Sequence, residues 1–123
     1  MKKVKKNIEA IQTWIGTDTV FTGDISTAKS IRIDGKLIGN IKESESVVIG
    51  EGAEIEGNIS TKYIVISGKI KGNINANDGI ELLSTAKVEG DLYTNILYIN
   101  EGAIFRGQST MPVAETEKNN DNA

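Results

Sequence analysis

The chain contains no cysteine and no histidine. The first absence removes disulfides and thiolate metal sites. The second removes the commonest general base and the commonest catalytic metal ligand. No catalytic residue set, metal site or cofactor site is therefore expected. Proline occurs once, at Pro112, so nothing before it interrupts a backbone hydrogen-bond ladder. Aromatic residues make up 5% of the chain, so any core must be aliphatic. An excess of positive charge is lacking too: the formal net charge is −3, which argues against a nucleic-acid partner. No apolar run approaches the ~18 residues of a membrane span. The N-terminal lysines are not followed by the apolar stretch of a secretory signal. These features predict a cytoplasmic protein, and 123 residues suffice for one domain around one core.

What the sequence does have is a recurring phrase. It reads EIEGNIS at 54–60, KIKGNIN at 69–75 and KVEGDLY at 87–93. Its glycines are Gly23, Gly39, Gly57, Gly72, Gly90 and Gly107, at spacings of 16, 18, 15, 18 and 17. A short, nearly fixed period marks a solenoid. Four apolar sets follow the same phase. They are Ile31, Val47, Ile64, Ile80 and Leu97; then Ile15, Ile33, Ile49, Ile66, Leu82 and Ile99; then Phe21, Leu37, Ile55, Ile70, Val88 and Phe105; then Ile25, Ile41, Ile59, Ile74 and Leu92. Within each repeat apolar and polar residues alternate, the mark of extended chain with one buried face. Three strands of five to six residues fit one repeat, broken at Gly, Asn, Asp and Ser clusters. The expected fold is all-β: a single-domain triangular β-helix of about six turns, roughly 30 Å long at ~4.8 Å per turn. The gap between the second and third sets is six residues from Ile49 to Ile55 and four from Ile66 to Ile70. Both are even, so inside stays inside.

Asn40, Asn58 and Asn73, with Asp24 and Asp91, should line one corner as a hydrogen-bonded ladder, each beside a glycine that accepts the tight turn. A phosphate-cradling loop is the competing reading, but neither G-x-x-x-x-G-K-[ST] nor G-x-G-x-x-G occurs. Asp24 and Asp91 fall several turns apart, too far for a catalytic carboxylate pair.

The ends of such a rod carry unpaired strand edges, which recruit other chains unless blocked. The only two phenylalanines, Phe21 and Phe105, terminate one stack at its two ends. They serve as plugs, as end-to-end contacts, or as both. With Leu97, Ile99 and Ile104 they form the candidate self-association surface. In the N-terminal segment Val4, Ile8, Ile11, Trp14 and Ile15 follow a helical face, with Lys2, Lys3, Lys5 and Lys6 around its start. A helix this short is marginal in water. Residues 1–14 are read as a basic amphipathic segment that contacts a membrane through Lys2, Lys3, Val4, Lys5, Lys6, Ile8, Ile11 and Trp14, or caps the lower end of the rod as a helix or strand, or is a solvated arm. Residues 15–109 form the core, and 110–123 a disordered polar tail.

The glycine-phased aliphatic repeat, Ile31-Arg-Ile-Asp-Gly35 and Gly102-Ala-Ile-Phe-Arg-Gly-Gln108 resemble the bactofilins over about residues 15–109. The resemblance implies a right-handed β-helix that polymerises end to end without nucleotide into bacterial cytoskeletal filaments. It also implies attachment to the inner face of the cytoplasmic membrane and a scaffold role for cell-wall enzymes in cell shape. By position, Phe105 is then the C-terminal contact residue. Rival readings are a β-helix acyltransferase, which needs a catalytic histidine, and a monomeric or oligomeric β-helix binding module that forms no filament.

Overall fold

A computed structural model describes residues 11–26 and 29–111. The described chain winds through six turns, each crossing three faces. The first turn holds β1 (Ile11–Ile15), β2 (Val20–Thr22) and β3 (Ile25–Ser26). The second holds β4 (Ser30–Ile33), β5 (Lys36–Ile38) and the start of β6 (Ile41–Ile49). The third continues along β6, then β7 (Glu54–Glu56) and the start of β8 (Ile59–Ile66). The fourth continues with β8, β9 (Lys69–Lys71) and the start of β10 (Ile74–Leu82). The fifth ends β10 and adds β11 (Lys87–Glu89) and β12 (Leu92–Thr94). The sixth is β13 (Leu97–Ile99), β14 (Ile104–Arg106) and β15 (Ser109–Thr110).

Every pairing is parallel and joins a strand to its counterpart one turn away. The second face is a sheet of its own, ordered β14-β11-β9-β7-β5-β2. The other two faces merge into one nine-stranded sheet, because β6, β8 and β10 pass round a corner without a break. Three equal strands per turn were expected. The observed lengths run from two to nine residues, because this corner is bent by local irregularity rather than by a loop. The register shifts between Ile41 and Ser44 and between Ala76 and Gly79, and Glu43 has φ 56°.

The four apolar sets pair as columns. Ile31, Val47, Ile64, Ile80 and Leu97 lie in register, as do Ile15, Ile33, Ile49, Ile66, Leu82 and Ile99. The Phe21–Phe105 and Ile25–Leu92 sets do the same. Between the end turns these side chains are almost wholly buried. The longer gaps close as turns in which the Ala53 amide donates to Gly50 and the Ala86 amide to Leu83. The even count keeps Ile55 and Val88 inside. Two interior corner columns escaped the sequence reading. Ala53 and Ala86 line one; Ser44, Thr61, Ala76 and Thr94 line the other. They are small or polar, so hydropathy does not mark them. The buried hydroxyls are satisfied locally, as Thr61 shows by donating to the Ser44 carbonyl at 3.0 Å.

The repeated phrase now has its physical cause. Gly39, Gly57, Gly72, Gly90 and Gly107 have φ between 147° and 151°, or 142° at Gly90. At each, a Cβ would run into the carbonyl of the glycine one turn below. Only glycine permits both the backbone angle and the stacking. The hydrogen-bonded ladder expected beside them is present, and its bonds run from backbone to side chain. Each side-chain oxygen accepts from the backbone N–H of the next member. Asn58 donates to Asn40 at 2.8 Å, Asn73 to Asn58 at 3.0 Å, and Asp91 to Asn73 at 3.0 Å. Asn40 donates to Asp24 at 3.1 Å. The position requires an acceptor oxygen, which explains why Asp and Asn interchange there.

The N-terminal expectation is corrected in part. Ile11–Ile15 is a strand, with Trp14 opposite Arg32 and Ile15 opposite Ile33, and not the last turn of a helix. A short helix is marginal in water, whereas the open edge of β4 offers these residues a ready ladder. The rod thus takes in Ile11–Trp14, assigned above to the terminal segment. Lys2, Lys3, Val4, Lys5, Lys6 and Ile8, and the tail from Pro112, lie outside the described residues.

Candidate functional site: the two open ends

At the C-terminal end Leu97 rests on Ile80, Ile99 on Leu82 and Phe105 on Val88. Among the described residues no strand pairs with the far edges of β13, β14 and β15. Phe105 is half-buried against the core, as is Leu97, while Ile99 is 49% exposed. The fourth column ends in Ser109, set in register over Leu92. Outward on this turn stand Ile104 and Tyr98, both exposed.

At the N-terminal end Phe21 rests on Leu37, and its ring lies against the Gly23 backbone. It is 39% exposed. A hollow of about 540 Å³ opens beside it, lined by Trp14, Ile15, Phe21 and Ile25 among others. Val20 stands outward and exposed.

Exposed large apolar side chains concentrate on these end turns. Trp14, Val20 and Phe21 belong to the first turn, and Ile96, Tyr98, Ile99 and Ile104 to the last; only Ile38 and Tyr93 lie elsewhere among the described residues. One outward column makes the contrast plain. It reads Val20, Lys36, Glu54, Lys69, Lys87, Ile104. The four middle positions are charged and the two ends apolar. A rod meant to stay single places charge at its ends.

Sequence reasoning missed what holds Trp14. Its indole N–H donates to Asp34 at 2.7 Å, and Arg32 donates to the same carboxylate at 2.9 and 3.1 Å. Arg32, then the indole, holds the Asp34 carboxyl below its usual range, against the opposing effect of burial. The sign is the usual carboxylate one. The contribution is present above the ordinary pKa of ~3.9 and is lost as pH falls through the lower folded value. Trp14 is the only tryptophan, so its fluorescence should change in an acid step below about pH 4. Asp34→Asn should abolish that step, and an unchanged step in the variant would separate Trp14 from Asp34. Asp24 is also lowered, chiefly by the Asn40 backbone N–H. Exposed at the lower end of the ladder, it forms an ion pair with Lys42 at 3.4 Å.

Of the residues assigned to self-association, Phe105, Leu97, Ile99 and Ile104 gather on one end and Phe21 on the other. Of those assigned to a membrane, Ile11 and Trp14 lie in β1 on the rod itself. The sequence model of the bactofilin family, described as polymer-forming cytoskeletal, matches residues 13–110. The chain belongs to the bactofilin family. No curated protein and no solved structure matches it. The match begins within β1 and ends with β15, so it takes in the six-turn rod of this bactofilin nearly whole.

Proposed function

We propose that this bactofilin polymerises end to end through its two open turns, without nucleotide, and serves as a scaffold rather than an enzyme. The supporting observation is the concentration of exposed apolar side chains on the terminal turns, beside Phe21 at one end and beside the half-buried Phe105 and Leu97, with Ile99 and Ile104, at the other. Stacking a second rod on either end continues the interior columns and gives the unpaired strand edges partners. Negative-stain microscopy of the purified chain, with no nucleotide or metal added, tests this. Filaments built of rods joined end to end are the expected result. A species that sediments as a monomer at all concentrations would overturn the reading.

The same reading places the filament on the inner face of the cytoplasmic membrane, where it organises cell-wall proteins and cell shape. No described helix is long and apolar enough to cross a membrane. Attachment is assigned instead to the lysines at positions 2, 3, 5 and 6, with Val4 and Ile8. Each lysine contributes about 1 kcal/mol near an anionic surface. Four such terms hold one rod weakly, and a filament multiplies them. Deleting residues 1–10 should release the protein from anionic liposomes while filaments persist, since β1 begins at Ile11. Equal co-pelleting of the deletion variant would refute the lipid role.

A further inference from the structure

The outward column of the first face reads, turn by turn, Trp14, Arg32, Val48, Val65, Glu81, Tyr98. It is a chemical palindrome with opposite charges at matching positions. Turned end over end about an axis along the strands, between the third and fourth turns, the column meets its own complement. Trp14 faces Tyr98 of the second copy, Arg32 faces Glu81, and Val48 faces Val65. The adjoining column agrees in shape. Tyr63 stands half-buried, its ring across Gly79 and its hydroxyl 3.2 Å from Glu81. Its counterpart in the turned copy is Ser46, which lies low and hydrogen-bonds Ser30 at 2.7 Å. Trp14 is 68% exposed and Tyr98 56% exposed, while Val48 and Val65 are half-buried. Arg32, whose Nε and Nη2 donate to Asp34 within the rod and whose Nη1 is left to face outward, and Glu81, which accepts from Tyr63, are the only charged members of this column. Parallel rods would set Arg32 against Arg32 and Glu81 against Glu81, so charge selects the antiparallel arrangement.

We infer that this face is a lateral contact to a second copy of the chain, with the two rods antiparallel. Six turns by about four residues give a flat contact of about 400 Å² per rod. A stable pair buries roughly 800 Å² per partner. Two isolated rods therefore hold together weakly, and the contact acts between filaments, where it repeats along their length. That last step rests on the end-to-end reading, whereas the face itself does not.

The test is a charge exchange. Preformed filaments of wild type, Arg32→Glu, Glu81→Arg and a mixture of the two variants are imaged at low salt, after circular dichroism confirms folding. Wild type should pair laterally, each variant alone should give single filaments, and the mixture should pair again, because Glu at 32 then meets Arg at 81. A variant that pairs as wild type does, or a mixture as unpaired as its components, would overturn the assignment. So would single filaments in wild type. A second arm works at the level of rods. The chain has no cysteine, so a short bis-maleimide should join Arg32→Cys to Glu81→Cys only when the two are mixed. Arg32→Cys linking to itself would mean the wrong register or face. If none of the samples forms filaments, the end-to-end reading fails, and the cross-linking arm decides this face alone.

Discussion

Phe105→Arg should leave the rod folded and eliminate filaments. In the single rod the side chain is half-buried, resting on Val88 with no described strand beyond it. The arginine stem can cover Val88 while its head reaches water, so the local loss is small. In the proposed end-to-end filament the same position would be sealed by the next rod. Burying one unpaired guanidinium costs several kcal/mol. If the end meets a copy of itself the contact is isologous, and two arginines then face each other. A micromolar contact is worth about 8 kcal/mol in total. The penalty is therefore comparable with the whole interface. Size-exclusion chromatography and microscopy should find monomers, or dimers joined through the Phe21 end, with an unchanged circular dichroism spectrum. Phe105→Leu, which keeps an apolar side chain over Val88, should retain filaments. Normal filaments from a folded Phe105→Arg protein would remove this residue from the interface.

Ile66→Asp acts on the rod itself. Ile66 is wholly buried and pairs with Ile49 below and Leu82 above. The variant puts an unpaired carboxylate into an aliphatic column, again at a cost of several kcal/mol. Two features make that cost decisive. A domain of this kind has about 5–15 kcal/mol of stability in all. In a solenoid each turn is held only by its neighbours, and turn four divides the rod into three turns below and two above. Neither remnant has enough core to survive alone. Loss of the β spectrum and of the cooperative melt is expected. A wild-type melting temperature would show that the columns do not carry the fold.

The interior was legible because its chemistry is simple. Turn lengths vary from 15 to 18 residues, yet each insertion is even across the gap that joins the second and third columns. Parity alone kept Ile55, Ile70 and Val88 on the inside, as their burial shows. The corner columns were not legible, because Ala53 and Ala86 are small and Ser44, Thr61 and Thr94 are polar. Their positions depend on local turns rather than on hydropathy. Asn and Asp were recognised as a column, but not the direction of their bonds. A stack of side-chain amides and a chain of side-chain-to-backbone bonds have the same residue spacing. The second needs only an acceptor oxygen, so it takes Asp at positions 24 and 91 as readily as Asn, and at Asp24 the Asn40 side-chain amide donates as well, at 3.2 Å.

The segment before Ile15 shows how far a local pattern reaches. Ile11, Trp14 and Ile15 fit a helical face by spacing. A helix of that length gains little in water, and β4 offers a full set of partners. The tertiary ladder prevails, and it carries Trp14 to within 2.7 Å of Asp34, twenty residues away in the chain. By itself, the sequence determined the repeat, its inward columns, the glycine corner and the two phenylalanines that close one stack, because all of these follow from period, parity and backbone sterics. The tertiary structure decided which side chains share the outside of each face. Outward neighbours such as Arg32 and Val48, or Val65 and Glu81, come together only through strand register. Solvent imposes no apolar signature on exposed positions, so only the folded backbone could show that Arg32 and Glu81 stand at matching distances from the middle of the rod.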